Sequence, residues 1–205
     1  MIKDIENLPL YNNLIRIRVF STITIIAFHC YCPYGNWHEI QFNSQPFIIN
    51  CYNFAFNRIF VNTMLPVFFM ISGILFYKKK NQYTSRTSLF WKKFDRLAIP
   101  YSIIFLLCYY LNLPNIGIAQ ASGHLWFIRD LFLIFCFSII CLRINEAYLL
   151  ILGICMYITF IFISKYNIQL PAFVLNIMKY YIFFIGGGIL TFIIDIYVRK
   201  SLKLL

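Results

Sequence analysis

The chain has 205 residues, of which 61% are hydrophobic and only 12% are charged, and its formal net charge is +11. Soluble domains contain about 45–50% apolar and about 25% charged residues, so this composition excludes a soluble globular domain and indicates an integral membrane protein. No stretch has the mixed polarity of a soluble core with its surface. We therefore expect one transmembrane domain over residues 1–205.

Six segments are apolar and long enough to be transmembrane helices, which need roughly 17 to 25 residues. They lie at about 14–33, 57–77, 97–113, 125–142, 147–164 and 177–198. The third is short and opens with Ile99 and Pro100, where proline suits a first helical turn because the amide hydrogen is not needed there. The predicted fold is an all-α, polytopic transmembrane helix bundle of about six spans.

The distribution of lysine and arginine predicts the orientation of these spans, because such residues concentrate in cytoplasmic loops. With the N-terminus inside, the outer segments hold only Arg58, Lys165 and Lys179. The inner segments hold Lys3, Arg16, Arg18, Lys78, Lys79, Lys80, Arg86, Lys92, Lys93, Arg96, Arg143, Arg199, Lys200 and Lys203. Both termini are therefore expected in the cytoplasm. The positive charge is explained by topology and anionic lipid, so no nucleic-acid partner is expected.

Arg18 and His29 lie eleven positions apart in the first predicted span. At 100° per residue, this separation brings the two side chains to within roughly 20° of each other and about 16 Å apart along the axis. Arg16 falls on nearly the opposite side, so the pairing selects one of the two arginines. Ionisable groups at bilayer depth indicate a functional site. The alternative is an arginine that reaches the interface and a buried, hydrogen-bonded histidine.

The second span and the loop after it contain two further candidate features. Ser72 and Gly73 form a small pair that allows a close approach of either another helix or a ligand. Residues 78–96 form the most basic stretch, which either holds the loop in the cytoplasm or receives a phosphorylated cofactor. Lys93 and Arg96 would be neighbours if the end of this loop is helical.

The cysteines predict no metal or redox site. The seven are scattered and lack the two-residue spacing of such sites; they are Cys30, Cys32, Cys51, Cys108, Cys136, Cys141 and Cys155. We interpret them as small apolar residues, and we expect neither a metal ion nor a permanently bound cofactor.

Taken together, four stretches resemble the membrane-bound acyltransferase type 3 family. They are the pair Arg18 and His29, residues 66–75 (PVFFMISGIL), residues 93–101 (KFDRLAIPY) and residues 124–127 (HLWF), and their order and spacing fit the family. Its members are bacterial O-acyltransferases that modify surface polysaccharides, peptidoglycan and lipid-linked sugars. The likeness is greatest to shorter members that acetylate polysaccharides without an appended periplasmic domain. The resemblance implies a multi-pass protein of the inner (plasma) membrane.

The resemblance also implies an activity and a set of site residues. An acyl group, usually acetyl, would pass from cytoplasmic acyl-coenzyme A to a hydroxyl of a cell-envelope polysaccharide or lipid-linked sugar. His29 would be the catalytic base and Arg18 its cationic partner, since imidazole accepts protons near neutral pH and arginine keeps its charge. The remaining assignments are Lys93, Arg96, Ser72 and Gly73 to the coenzyme, and His124, Trp126 and Arg129 to the acceptor.

Several alternatives stay open at this point. Lys93 stands where the family usually has arginine, which keeps the charge but loses the bidentate fork. Arg129 and the adjacent Asp130 point about 100° apart, and either could form a structural ion pair with another helix instead of contacting substrate. The family's domain normally continues for several more spans, so we expect a C-terminally truncated domain. An inactive remnant or a non-enzymatic membrane transport component is the alternative function.

Overall fold

The computed structural model describes residues 9–31, 62–79, 85–110 and 118–201, and within these ranges the chain is helical without any β-strand. This result confirms the all-α class. The helices are α1 (Pro9–Tyr31), α2 (Asn62–Lys79), α3 (Arg86–Lys93), α4 (Ile99–Tyr110), α5 (Ile118–Ile140), α6 (Glu146–Lys165) and α7 (Ala172–Ser201). Each of the six predicted spans overlaps one of them, and α3 is an additional short helix.

Among the residues that the structure describes, two helical segments are long and apolar enough to cross a bilayer: Glu146–Lys165 and Ala172–Ile193. The outward surface of α6 suits a lipid environment, because Ile154, Ile158, Ile161 and Phe162 are all exposed. The number of six spans and the cytoplasmic termini stay predictions.

The chain divides into two compact units, and the boundary lies within α2 between Ser72 and Gly73. In the first unit, the Ser21 hydroxyl of α1 lies 3.7 Å from Sδ of Met64 on α2. The Arg18 guanidinium lies 5.6 Å from the ring centroid of Phe68, one turn further along α2. Because residue numbers rise on α1 as they fall on α2, these two helical segments are antiparallel, as expected for consecutive spans.

The core of the second unit is built on three aromatic rings, from α2, α5 and α7. The ring centroids of Phe76 and Phe135 are 5.3 Å apart, those of Phe76 and Phe184 are 5.6 Å apart, and those of Phe135 and Phe184 are 5.2 Å apart. Asp130, which precedes Phe135 on α5, contacts Asn176, which precedes Phe184 on α7. Residue numbers therefore rise in the same direction on both helices, so α5 and α7 run parallel. If the chain crosses the membrane in alternating directions, the fourth and sixth predicted spans, which correspond to α5 and α7, must run in the same direction.

Local signals define both ends of α6. Asn145 caps its start, with Oδ1 accepting a 2.9 Å hydrogen bond from the amide of Ala147. At its end Asn167 has a φ of 52°, in the left-handed region. The amide of Ile168 donates to the carbonyl of Ile163, and the amide of Asn167 donates to that of Ser164. These two bonds form a Schellman motif, in which asparagine tolerates the left-handed conformation better than most residues.

The third predicted span differs from its expected start. Instead of beginning at Ile99, the helical backbone continues from α3 through a π-helical turn, Phe94–Ala98, into α4. The amide of Ile99 donates to the carbonyl of Phe94, five residues back. Pro100 provides the physical reason: it cannot donate to the carbonyl of Arg96 and its ring would collide with that carbonyl in a regular α-helix, so a wider turn accommodates it.

Candidate functional site

Arg18 and His29 both lie on α1, whose backbone is unbroken from Pro9 to Tyr31. Arg18 is half-buried and its guanidinium lies over Phe68, whereas Arg16 is exposed. Of the two arginines, Arg18 is thus the one that packs into the unit. The side chain of His29 lies outside what the structure describes, so its role stays a prediction.

Ser72 and Gly73 are buried and differ in what surrounds them. The Ser72 hydroxyl has no hydrogen-bond partner among the described atoms, although the residue is only 1% exposed. A Cβ added at Gly73 would overlap the backbone oxygen of Phe184 and lie 2.8 Å from its carbonyl carbon. Gly73 therefore serves close packing of α2 on α7, while Ser72 offers a buried hydroxyl that a ligand could engage.

Lys93 and Arg96 occupy different surroundings. The Lys93 ammonium lies 4.0 Å from the ring centroid of Phe135 and 5.8 Å from that of Phe76, which is cation–π geometry. Arg96 lies in the π-helical turn and is exposed. One cation is thus fixed on an aromatic surface, and a second lies close to it along the chain and points to solvent. This combination could bind a phosphate group.

Arg129 and Asp130 form an ion pair with each other. Nε of Arg129 donates to Oδ1 of Asp130 at 2.8 Å, and Nδ2 of Asn176 on α7 donates to Oδ2 at 2.8 Å. Asp130 is completely buried, whereas the side chain of Arg129 is 28% exposed. From the sequence, either charge could form an ion pair with another helix. In the structure the two charges pair with each other, and the partner on the other helix is the neutral amide of Asn176, which the sequence did not indicate.

The two other residues assigned to the acceptor also lie on α5. The ring centroid of Trp126 is 5.9 Å from that of Tyr180 on α7. The side chain of His124 lies outside the described residues, so the structure does not place it. Sequence reasoning missed Asn176 and Tyr180. The signal available for Asn176 was a single amide within the apolar beginning of α7.

A buried group of hydroxyls, also missed from the sequence, joins α2, α5 and α7. The side chain of Ser138 lies beside the hydroxyls of both Tyr77 and Tyr181. All three residues are at most 7% exposed. Tyr77 also covers Gly188, where a Cβ would lie 2.5 Å from its ring. We interpret this group as part of the helix packing, because large rings enclose it.

A comparison with known protein families identifies the chain. The family model Acyl_transf_3, described as an acyltransferase domain, matches residues 11–205. No curated protein and no solved structure matches the chain. The matched range contains the pair on α1, the small pair on α2, the basic turn before α4 and the cluster on α5, and it confirms the resemblance that these motifs indicate. The chain therefore belongs to the membrane-associated acyltransferase type 3 family, and this membership supports acyl transfer as its general activity.

Proposed function

We propose that the protein is a multi-pass enzyme of the inner (plasma) membrane that transfers an acyl group, most simply acetyl, from cytoplasmic acyl-coenzyme A to a hydroxyl of a cell-envelope polysaccharide or lipid-linked sugar. The observation that carries this proposal is the family match over residues 11–205. It covers every residue to which we assign a role.

In the proposed reaction His29 takes the proton from the attacking sugar hydroxyl. The hydroxyl oxygen forms the new ester bond to the acyl carbon as the carbon–sulfur bond breaks, and the proton finally reaches the departing thiolate of coenzyme A. Arg18 stabilises negative charge near the cytoplasmic end of α1, since a guanidinium does not lose its proton. The contact of Arg18 with Phe68 supports this role, because it holds the charge within the helical unit instead of in bulk solvent.

The donor is proposed to bind on the cytoplasmic side through Lys93 and Arg96, and Ser72 and Gly73 are assigned to the same ligand. Phosphate groups favour clustered cations, and an exposed arginine can donate two parallel hydrogen bonds to one phosphate. The exposed position of Arg96 and the fixed position of Lys93 support the assignment. His124, Trp126 and Arg129 on α5 are proposed to contact the acceptor.

Transfer of labelled acetyl groups tests the proposal directly. Membranes containing the protein, supplied with acetyl-coenzyme A labelled in the acetyl group, should incorporate label into envelope glycan as a base-labile ester. Membranes without the protein should not. If acetyl-coenzyme A does not bind and envelope acetylation is the same with and without the protein, the proposal is wrong and a non-enzymatic function takes its place.

Replacing Arg96 by glutamine should raise the KM for acetyl-coenzyme A about tenfold, the scale of a lost charged hydrogen bond, with little change in kcat. Acetyl-dephospho-coenzyme A, which lacks the 3′-phosphate, identifies the group that is recognised. If Arg96 binds that phosphate, the variant and the unaltered protein should have similar KM values for this analogue. The matched control is Arg143→Gln, which removes an exposed cation from the turn before α6. Equal KM values for Arg96→Gln and the control would contradict the assignment.

Cysteines introduced one at a time into the turns at the two ends of α6 test the proposed orientation. Gln169→Cys, in the exposed turn between α6 and α7, should react with a membrane-impermeant maleimide in intact cells. Arg143→Cys should react only after the membrane is permeabilised. The parent protein, with its native cysteines, sets the baseline. The reverse pattern of labelling would invert the proposed topology.

A further inference from the structure

Asp130 is a buried carboxylate that is held at both oxygens. Arg129 binds one oxygen and Asn176 binds the other, each at 2.8 Å. Burying an ion pair in apolar surroundings costs desolvation energy that apolar side chains of similar volume would not cost. Within a membrane span such a pair indicates a functional role more often than a stabilising one. The two partners are also unequal: the carboxylate is completely buried, while the guanidinium is partly exposed.

Because of this difference in exposure, we interpret Asp130 as the residue that orients the guanidinium and Arg129 as the residue that is accessible to a ligand. The ion pair engages Nε, at the side of the guanidinium, and Asn176 fixes the carboxylate from α7. The ring of Phe173 lies 5.9 Å from the guanidinium carbon. The terminal Nη1 and Nη2 groups are not used in the bond to Asp130. They form the planar fork that binds carboxylate and phosphate with two parallel hydrogen bonds.

A second cation lies on the same part of α7. Lys179, one turn after Asn176, is half-buried, and its ammonium lies 5.1 Å from the ring centroid of Tyr180 and 5.8 Å from that of Phe160. The ring of Tyr180 in turn contacts Trp126 on α5. The sequence places Lys179 at the outer end of the sixth predicted span, and in the structure it lies on the third turn of α7. Lys179 adds a second positive charge to the part of α7 that carries Asn176.

We propose that Arg129 binds an oxyanion, carboxylate or phosphate, that belongs to the acceptor glycan or its lipid carrier, and that the positive charge of Lys179 on the same part of α7 favours this binding. Asp130 and Asn176 are positioning residues that hold the guanidinium in place for it. The identification of the ligand as an acceptor rests on the proposed acyl transfer. The oxyanion site itself rests on the ion pair, the bridging amide and the second cation. The substrate class that follows is an acidic glycan, such as one containing uronic acid, or a glycan on a lipid phosphate.

Direct binding tests the site without requiring transfer activity. The probe is labelled trigalacturonate, compared with its carboxyl-reduced counterpart, on purified protein in nanodiscs of phosphatidylcholine. The acidic probe should bind about tenfold more tightly than the neutral one, the scale expected for a charged hydrogen-bonded pair. Arg129→Gln should abolish this difference, Arg129→Lys should retain part of it, and the control Arg143→Gln should retain all of it. Equal affinities for the two probes, or an unchanged preference in Arg129→Gln, would overturn the proposal.

The source of the oxyanion follows from a second set of nanodiscs that contains phosphatidylglycerol. Displacement of the probe by this lipid, dependent on Arg129, identifies a lipid phosphate, and no displacement identifies the glycan's own acidic group. Oxyanion binding without any acetyl transfer would sustain the site and refute the proposed enzyme. Acetyl transfer with equal KM values for acidic and neutral acceptors would sustain the proposed enzyme and refute the oxyanion site.

The variant Asp130→Asn separates positioning from structural support. It preserves the shape of the side chain and removes the charge that orients Arg129. We expect a three- to tenfold weaker affinity for the acidic probe, about 0.6–1.4 kcal/mol, with unchanged affinity for the neutral one. In the transfer assay the same variant should raise the KM for an acidic acceptor and leave kcat and the donor KM unchanged. Equal losses for both probes, or a loss of kcat alone, would show that Asp130 only supports the fold.

Discussion

Replacing His29 by alanine is expected to lower acyl transfer by about 10²- to 10⁴-fold, the usual contribution of a positioned general base. The sugar hydroxyl is a poor nucleophile until its proton leaves, and imidazole, with an ordinary pKa near 6.5, accepts a proton at neutral pH. The loss should fall on kcat, because the coenzyme is assigned to Lys93 and Arg96 on other segments. The KM for acetyl-coenzyme A should therefore change little.

The measurement is single-turnover transfer from labelled acetyl-coenzyme A, normalised to the amount of folded protein. His29→Gln serves as a second variant, because glutamine retains hydrogen bonding without a comparable base. Thr159→Ala is the matched control: its hydroxyl is exposed on α6 and bonds only to the carbonyl of Cys155 among the described contacts. Undiminished transfer in both His29 variants would remove His29 from the mechanism. It would leave the assignment of acyl transfer to the protein intact.

The parts of the fold that the sequence predicts well are those set by local chemistry. The fifth span, expected at 147–164, is α6 at Glu146–Lys165. Its boundaries are accurate because Asn145 supplies a cap and Asn167 ends the helix through its own backbone conformation. The sixth span is less accurate: α7 begins at Ala172, five residues before the expected start. Asn176 lies one residue before the expected start and looks like a loop residue, and Lys179 lies only two residues after that start. Their partners come from the neighbouring helices.

The candidate site shows the same division. Helical periodicity favours Arg18 over Arg16 as the partner of His29, and that pairing stays a prediction. The structure packs Arg18 against Phe68 and leaves Arg16 exposed. Periodicity could not find the hydrogen bond between Asp130 and Asn176, since these residues are 46 positions apart. It also gave no indication that the Lys93 ammonium would lie on Phe135. Such contacts depend on which helices become neighbours, and an apolar span alone does not encode that choice.

For Gly73, the sequence predicts a close helix contact and the structure identifies the partner. The small pair in the second span predicted a close approach from the sequence, and the structure supplies the partner, which is the backbone of α7 at Phe184. Contact with a backbone differs from contact with a side chain. A side chain can adopt another rotamer, whereas a carbonyl within a helix moves only if the helix moves.

We therefore expect Gly73→Ala to destabilise the protein severely. Its new methyl group would overlap the Phe184 carbonyl, and overpacking of this kind costs typically 1–3 kcal/mol and more where neighbours cannot shift. Three other glycines form a graded control series. At Gly188 a Cβ would lie 2.5 Å from the side-chain ring of Tyr77, at Gly153 it would lie 3.2 Å from a methyl carbon of Ile185, and at Gly186 it would meet nothing within 4 Å.

Alanine at each position should thus reduce stability in the order Gly73, Gly188, Gly153, Gly186. At Gly186 the change should be neutral or stabilising, because alanine favours a helix over glycine by roughly 1 kcal/mol. Thermal unfolding in detergent, followed by the fraction that remains monodisperse on size exclusion, measures the series. A Gly73→Ala protein as stable as Gly186→Ala would show that α2 and α7 are further apart than described. A loss at Gly73 with tolerance at Gly186 would instead establish backbone contact as the reason for the small pair in this span.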